Sequence, residues 1–478
     1  MTDDEQFLNG LTRRAFLNRS AHAMGAAALG MLMGDRATAA SAGAASTWPG
    51  ALPSGHYPKR AKTVIHLCMA GGPSHLETFD YKPYLEANHG KPMPADITKG
   101  KPIAQLQGKP LTVFGPQHAF RQHGQSGTWV SDVLPNIAGI VDDIAVVRSL
   151  HTDQINHDPA HTLFNTGALL PGRPSMGAWV NYALGSVCED LPGYVVMTSE
   201  GGGQSQPIAS RQWSAGFLPS RHQGVVFNAS GDPVHYVSSP NGVDPQRQLD
   251  VYDAVNKLDH GAHDRLNDPE IMARISQYEM AARMQLSVPE LMDVANEPKS
   301  VLDMYGAKPG DGSFASNCLM ARRMAERGVR FIQLYHRGWD HHGGVKDGTA
   351  AAAGFTDQAC AALVRDLKQR GMLDDVFIMW GGEFGRTPMS QGGSGRDHHI
   401  QGYSMWFAGG GIKGGQTYGA TDELGYSAVE NPVHVRDVHA TMLDLLGLDH
   451  SRLTYKFQGL DAKLTGVESA SPVRALYT

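Results

Sequence analysis

Two places in the chain bring a carboxylate together with paired imidazoles. Asp340-His341-His342 follows the apolar run Val329 to Tyr335, and Asp397-His398-His399 follows Arg396 in a glycine-rich stretch. Between them the apolar run Val376 to Trp380 stops at Gly381-Gly382, and Glu383 comes next. Imidazole and carboxylate are common ligands of divalent metals. An apolar run closed by glycine reads as a buried strand that turns and presents its next polar residues. The pattern predicts one metal site assembled from distant segments. Asp340, His341, His342, Glu383, His398 and His399 are its candidate ligands, and either of the last two histidines could ligate. Asp397 is placed to orient its neighbour as an outer acceptor.

Further candidates lie upstream. Ser74 and His75 follow Ala70-Gly71-Gly72-Pro73, where a turn with a capping serine is the plainer reading. His157 and His161 stand one helical turn apart. They read as a hydrogen-bonded pair, as metal ligands, or as a nucleophile and an acid. Arg386 and Arg148 could hold a sulfate or phosphate group, since guanidinium matches that geometry. Arg386 could instead pair with Glu383. Asp437 and His439 read as caps of the last helix.

These residues need a scaffold, and helix and strand patterns alternate from Lys62 to Leu448. Thr63 to Met69, Ile144 to Leu150, Gly193 to Met197, the runs before Trp339 and Glu383, and Ser404 to Ala408 read as buried strands. Apolar positions at helical spacing fall in Val130–Ile140, Asp268–Leu302, Phe314–Arg327, Thr356–Arg370 and His434–Leu446. The expected fold is α/β with a mostly parallel central sheet and helices on both faces. Polar groups at the carboxyl ends of such strands are where ligands bind. Residues 83–128 read as a surface excursion, and a loop-rich insertion near 199–250 as walls of a pocket.

At 478 residues, 41% hydrophobic and 18% charged, the chain has the composition of a globular protein with a large core. A formal charge of −6 argues against nucleic acid or an anionic membrane as partner. Cys68, Cys188, Cys318 and Cys360 show no zinc-type spacing and read as buried thiols. Arg13-Arg14-Ala15-Phe16-Leu17 precedes a short apolar stretch, Ala21 to Met33, with Ala37-Thr38-Ala39 as a processing site. Residues 1–45 therefore read as a twin-arginine-type signal peptide and linker, served by the twin-arginine export machinery. The apolar stretch is too short for a membrane span, so the mature form, one domain over residues 46–478, has no transmembrane segment.

Taken in order, HLCMAGGPSHLETFDYKP, GWDHH, WGGEFGRTP, GRDHH and HATMLDLLGLDHSRLTYKFQGLDAKLTG resemble the exported sulfatase-like "domain of unknown function 1501" proteins of the alkaline phosphatase superfamily. The resemblance covers about Lys62 to Val467 and implies that superfamily's fold. It implies one or two divalent ions, zinc, calcium or manganese, in a hydrolase of sulfate or phosphate esters. Asp340 with His341 or His342, completed by His399, would form one metal position, and Glu383 stands where relatives keep an Asp-His pair. Phe384 replaces that pair's histidine. The usual aspartate of the first strand end is Ala70, a loss that His75 could make good. His157-Asp158-Pro159-Ala160-His161 stands where sulfatases carry Cys-x-Pro-Ser-Arg, so His157 occupies the nucleophile position and formylglycine chemistry is excluded.

The expected function is an exported, periplasmic or extracellular metal-dependent hydrolase acting on a small-molecule or glycan ester. The attacking group would be His157, Ser74 or metal-activated water. The alternative is a non-catalytic cell-envelope protein that binds sulfated or phosphorylated glycans on the same fold.

Overall fold

The computed structural model describes residues 49–202, 204–228, 233–234, 247, 250–251, 253–255, 257–259, 269–294 and 296–478. The expected leader, with Arg13-Arg14 and Ala37-Thr38-Ala39, lies outside the described residues, as does part of the 199–250 stretch. Residues 47–238 and 268–478 form one compact unit. The other unit, residues 1–46 and 239–267, is described only at a few positions between 247 and 259.

The large unit is built on a nine-stranded sheet. Its strands are β1 (Thr63–Ala70), β2 (Ile144–His151), β3 (Tyr194–Ser199), β4 (Val225–Phe227), β5 (Phe331–Arg337), β6 (Val376–Gly381), β7 (Tyr403–Ala408), β8 (Gln416–Tyr418) and β9 (Val433–His434). The order is β8-β2-β7-β6-β1-β5-β3-β4, with β9 also paired to β2. β1 lies at the centre, parallel to β5 and β6, with Val64 opposite both Phe331 and Phe377. All eight residues of β1 are buried, which is why it reads as an unbroken apolar run rather than an alternating one. β7 runs antiparallel to both its neighbours, β6 and β2.

Helices cover both faces. The flanking set includes α1 (His157–Thr166), α2 (Met176–Leu184), α3 (Pro269–Met292), α4 (Lys299–Tyr305), α5 (Phe314–Glu326), α6 (Val345–Gln369) and α7 (Val435–Leu445). Ile65, Leu67 and Met69 of β1 join the apolar layer that holds Leu319 of α5 and Leu363 of α6. Val64 and Cys68, on the opposite side of the pleat, join Trp179 of α2 and Met442 of α7. Burying one such large apolar side chain contributes about 1.5–3 kcal/mol. The two-layered core therefore fixes the strand ends that carry the polar clusters. All four cysteines are buried free thiols. No helix among the described residues is long and apolar enough to cross a membrane.

Three sequence expectations change. The helical spacing over Val130–Ile140 forms only one helical turn, Pro135–Ala138, preceded by a short strand, Thr128–Ser131. Val130, Leu134, Ile137 and Ile140 are nonetheless buried, so burial produced the pattern and Pro135 delayed the turn. Inside the expected loop insertion, β4 adds to the sheet beside β3, although three residues are too few to show a period. α6 begins at Val345, well before Thr356, because its first turns bury small alanines such as Ala352 and Ala353.

Candidate metal centre

The carboxyl ends of β1, β5 and β6 meet at one point. After β5 the chain passes Gly338 and Trp339 to Asp340, and the Trp339 N–H donates to the Ala70 carbonyl at 3.2 Å. Gly71 follows β1 with φ +122°, and a Cβ there would lie 2.5 Å from the Asp340 nitrogen. Only glycine permits both that backbone and that approach. After β6 comes Glu383, whose two oxygens accept from the Gly71 N–H at 3.1 and 3.2 Å. α1 brings His157 and His161, and the hairpin Gly385–Gln391/Gly395–His399 brings His398.

His157, Asp340, His342 and His398 each offer a ligand atom within 4.8 Å of the others. Nε2 of His157 is 3.2 Å from Asp340 Oδ2, while Nε2 of His342 and of His398 are 3.0 and 3.5 Å from Oδ1. The opposite ring nitrogens are all engaged. Nδ1 of His157 lies 2.6 Å from Glu383 Oε1, Nδ1 of His398 is 2.7 Å from the Ile155 carbonyl, and Nδ1 of His342 is 2.7 Å from the Gln391 amide oxygen. Those partners only accept, so each Nδ1 carries a hydrogen and each Nε2 can turn a lone pair inward. Three lone pairs and a carboxylate converging in a buried place match the donor set of a transition metal. The Nε2 atoms of His342 and His398 are only 2.9 Å apart.

The groups are electrostatically coupled. Burial opposes the charge on Asp340, but contacts from His157, His342 and His398 and the Arg386 guanidinium hold its carboxyl far below the usual range. Burial likewise opposes Glu383, and His161 and His157 bring it down to about 2. For His157 burial disfavours the charged ring, yet hydrogen bonds to Asp340 and Glu383 outweigh it and raise the pKa. Burial keeps His161 and His398 below the ordinary histidine value. His161 Nε2 lies 3.3 Å from Glu383 Oε1, and His157, His161 and Glu383 make a second close group. The ring of Phe384 stands 4.9 and 4.7 Å from those of His157 and His398 and closes one side.

Of the candidate residues, Asp340, His342 and His398 come together with His157, and Glu383 comes together with His157 and His161. His399 does not: its Nε2 faces the Tyr426 carbonyl at 2.5 Å, on the other side of the hairpin strand. His341 is in neither close group, and its ring lies against Gly348 of α6. His75 reaches the Gly425 carbonyl at 2.8 Å, and Ser74 starts the short helix His75–Glu77, outside both groups. Asp397 accepts from the backbone N–H of Leu106 and of His398, at 2.8 and 2.9 Å, so it fixes the strand that carries His398. Arg386, expected to hold an oxyanion, is 1% exposed and bound to Asp340 Oδ1 at 2.5 Å and to the Gly71 and Gly72 carbonyls. Arg148 faces Asp80 at 3.8 Å. Asp437 caps the last helix by accepting from the His434 N–H, whereas His439 lies inside that helix and meets the Phe164 carbonyl of α1. Gln206, which no sequence pattern marked, donates to Asp340 Oδ2 at 3.2 Å.

Solved structures similar to the chain include the following three. Phosphonate monoester hydrolase SpPMH from Silicibacter pomeroyi shares 11% identity over 87% of this chain and 76% of that one, with a TM-score of 0.34. The PsFucS1 sulfatase from Pseudoalteromonas sp. shares 13% over 88% and 76%, with a TM-score of 0.33. The C-terminal periplasmic domain of EcEptC from Escherichia coli, in complex with Zn, shares 9% over 84% and 88%, with a TM-score of 0.34. No curated protein matches in sequence. Every segment that builds the centre, from β1 to the hairpin that carries His398, falls within residues 61–477, which match the family described as "Protein of unknown function (DUF1501)", and the chain belongs to that family.

Proposed function

We propose that this protein is an exported metal-dependent hydrolase of sulfate or phosphate esters. The convergence of three imidazole Nε2 atoms on the Asp340 carboxylate carries the reading. The donors fit a divalent cation: His157 Nε2 faces the Asp340 carboxylate at 3.2 Å, and its Nδ1 is fixed by a second carboxylate as in carboxylate–histidine–metal sites. Three imidazoles with one carboxylate suit zinc or manganese better than calcium, which prefers an all-oxygen shell.

A bound ion would supply Lewis-acid polarisation of the ester oxygen and stabilise negative charge. Asp340, His157, His342 and His398 would hold it. Glu383 keeps the His157 ring oriented and Arg386 neutralises part of the Asp340 charge, while Phe384 limits water on one side. Because both ring nitrogens of His157 face carboxylates, water rather than His157 is the attacking group in this reading. The ester class rests on the sequence resemblance. Export of residues 46–478 as one domain behind a twin-arginine leader over 1–45, to the periplasm or beyond, rests on Arg13-Arg14 and the apolar stretch after it.

Elemental analysis of the purified protein beside Asp340→Ala and His398→Ala, followed by a panel of sulfate and phosphate esters, tests the reading. One equivalent of zinc or manganese, lost in both variants together with turnover, is the expected result. No ion in the wild type with both metals supplied would overturn it. A retained ion with no turnover would favour the glycan-binding reading, which the absence of the sulfatase-type Cys or Ser at position 157 supports.

A further inference from the structure

Gln206 sits in the segment between β3 and the short helix Ser210–Trp213, yet it is only 4% exposed. Long polar side chains are seldom buried without a reason. Its amide nitrogen lies 3.2 Å from Asp340 Oδ2, the same oxygen that faces His157 Nε2. Its amide oxygen is buried and has no hydrogen-bond partner. A buried carbonyl oxygen left without a donor is costly, by roughly 1–3 kcal/mol. Half of this amide is thus used and half is not, beside the carboxylate on which three imidazoles converge.

Resting on the metal-centre reading above, we infer that Gln206 is a further ligand of the ion, through its amide oxygen. A half-turn about the last side-chain bond exchanges the two amide ends, which have nearly the same shape. The turn removes the hydrogen bond to Asp340 Oδ2, freeing that oxygen for the ion, and brings the unpartnered oxygen to the same place. The donor set becomes three imidazoles, one carboxylate and one amide oxygen. It also ties the 204–209 segment to the ion, so that loading the metal and fixing this wall of the centre are one event.

Cobalt(II) is the probe, because its visible spectrum reports coordination number without turnover. Full-length protein, Gln206→Ala and Gln206→Glu are each titrated with Co2+ against a competing chelator. The expected result is one equivalent in all three, with a weak five-coordinate spectrum in the wild type. Gln206→Ala should give a more intense four-coordinate spectrum and bind roughly tenfold or more weakly, the scale set by losing a group at a metal. Gln206→Glu should restore the wild-type spectrum and bind at least as tightly. A Gln206→Ala protein with wild-type spectrum and affinity would overturn the inference and leave the centre standing. Failure of the wild type to bind Co2+ at all would overturn both.

Discussion

Nδ1 of His157 lies 2.6 Å from Oε1 of Glu383, and the same carboxylate accepts from the Gly71 N–H at 3.1 and 3.2 Å. The second contact fixes the first: the backbone between β1 and Asp340 holds Glu383, and Glu383 in turn holds the imidazole. In the proposed centre Glu383 would act on an ion through His157 rather than by contact. Glu383→Ala is expected to weaken metal binding by roughly 10–100-fold while leaving the number of ions unchanged. Glu383→Gln, which keeps an acceptor, should fall between. Chelator competition with metal counting reads both quantities, and loss of a whole equivalent in Glu383→Ala would show instead that Glu383 is itself a ligand.

The hairpin makes a sharper comparison between adjacent residues. His398 Nε2 is 3.5 Å from Asp340, whereas His399 faces the Tyr426 carbonyl. His398→Ala is expected to abolish or strongly weaken metal binding. His399→Ala should keep the full equivalent, with a loss of thermal stability as its main effect. Equal metal loss in the two would contradict the placement.

Histidines away from the centre set the acid limit. His66, His75 and His222 are lowered by burial to about 3, and His336 and His439 to about 4, from 6.5. Unfolding lets each take up a proton, so the unfolded chain binds more protons below about pH 6.5. Stability is full above that value and is lost as pH falls towards 4 and 3. Each histidine contributes a slope of about 1.4 kcal/mol per pH unit in that window. Denaturant midpoints should therefore drop clearly between pH 7 and 5, and a flat profile would show that these rings are not held neutral.

Arg396 and Glu77 form a pair with both side chains 0% exposed, joined at 2.7 Å. The guanidinium also donates to the carbonyls of Phe114, Gly115 and Thr387. Removing one member leaves a buried charge without its partner. Arg396→Ala should cost about 3–5 kcal/mol in equilibrium unfolding. Arg396 lies in the hairpin strand that carries His398, so weaker metal binding should accompany the loss.

Much of the scaffold could be read from local pattern. The apolar runs ending at Met69, Tyr335 and Trp380 are strands, and the polar residues just beyond two of them, Asp340 and Glu383, both reach His157. What the pattern could not tell was which of two adjacent histidines turns inward. The hairpin's pairing shifts register between Arg396 and His398, and such an irregularity breaks strict alternation of side chains. Arg386 was marked for its charge, but its partner Asp340 lies far away in sequence and consumes that charge. Gln206 lies in a stretch without periodicity, where only the folded neighbourhood gives the residue meaning.

The reversed strand β7 has a consequence for how the molecule is made. β2 touches the sheet only through β7, β8 and β9, all of which come late in the chain. During synthesis β2 has no strand of the sheet to pair with until β7 has emerged. Pairing of such distant segments is slow and leaves strand edges exposed meanwhile. The hairpin that carries His398 and the strand that pairs β2 to the sheet are thus completed almost together, so the proposed centre would be whole only when the chain is nearly so.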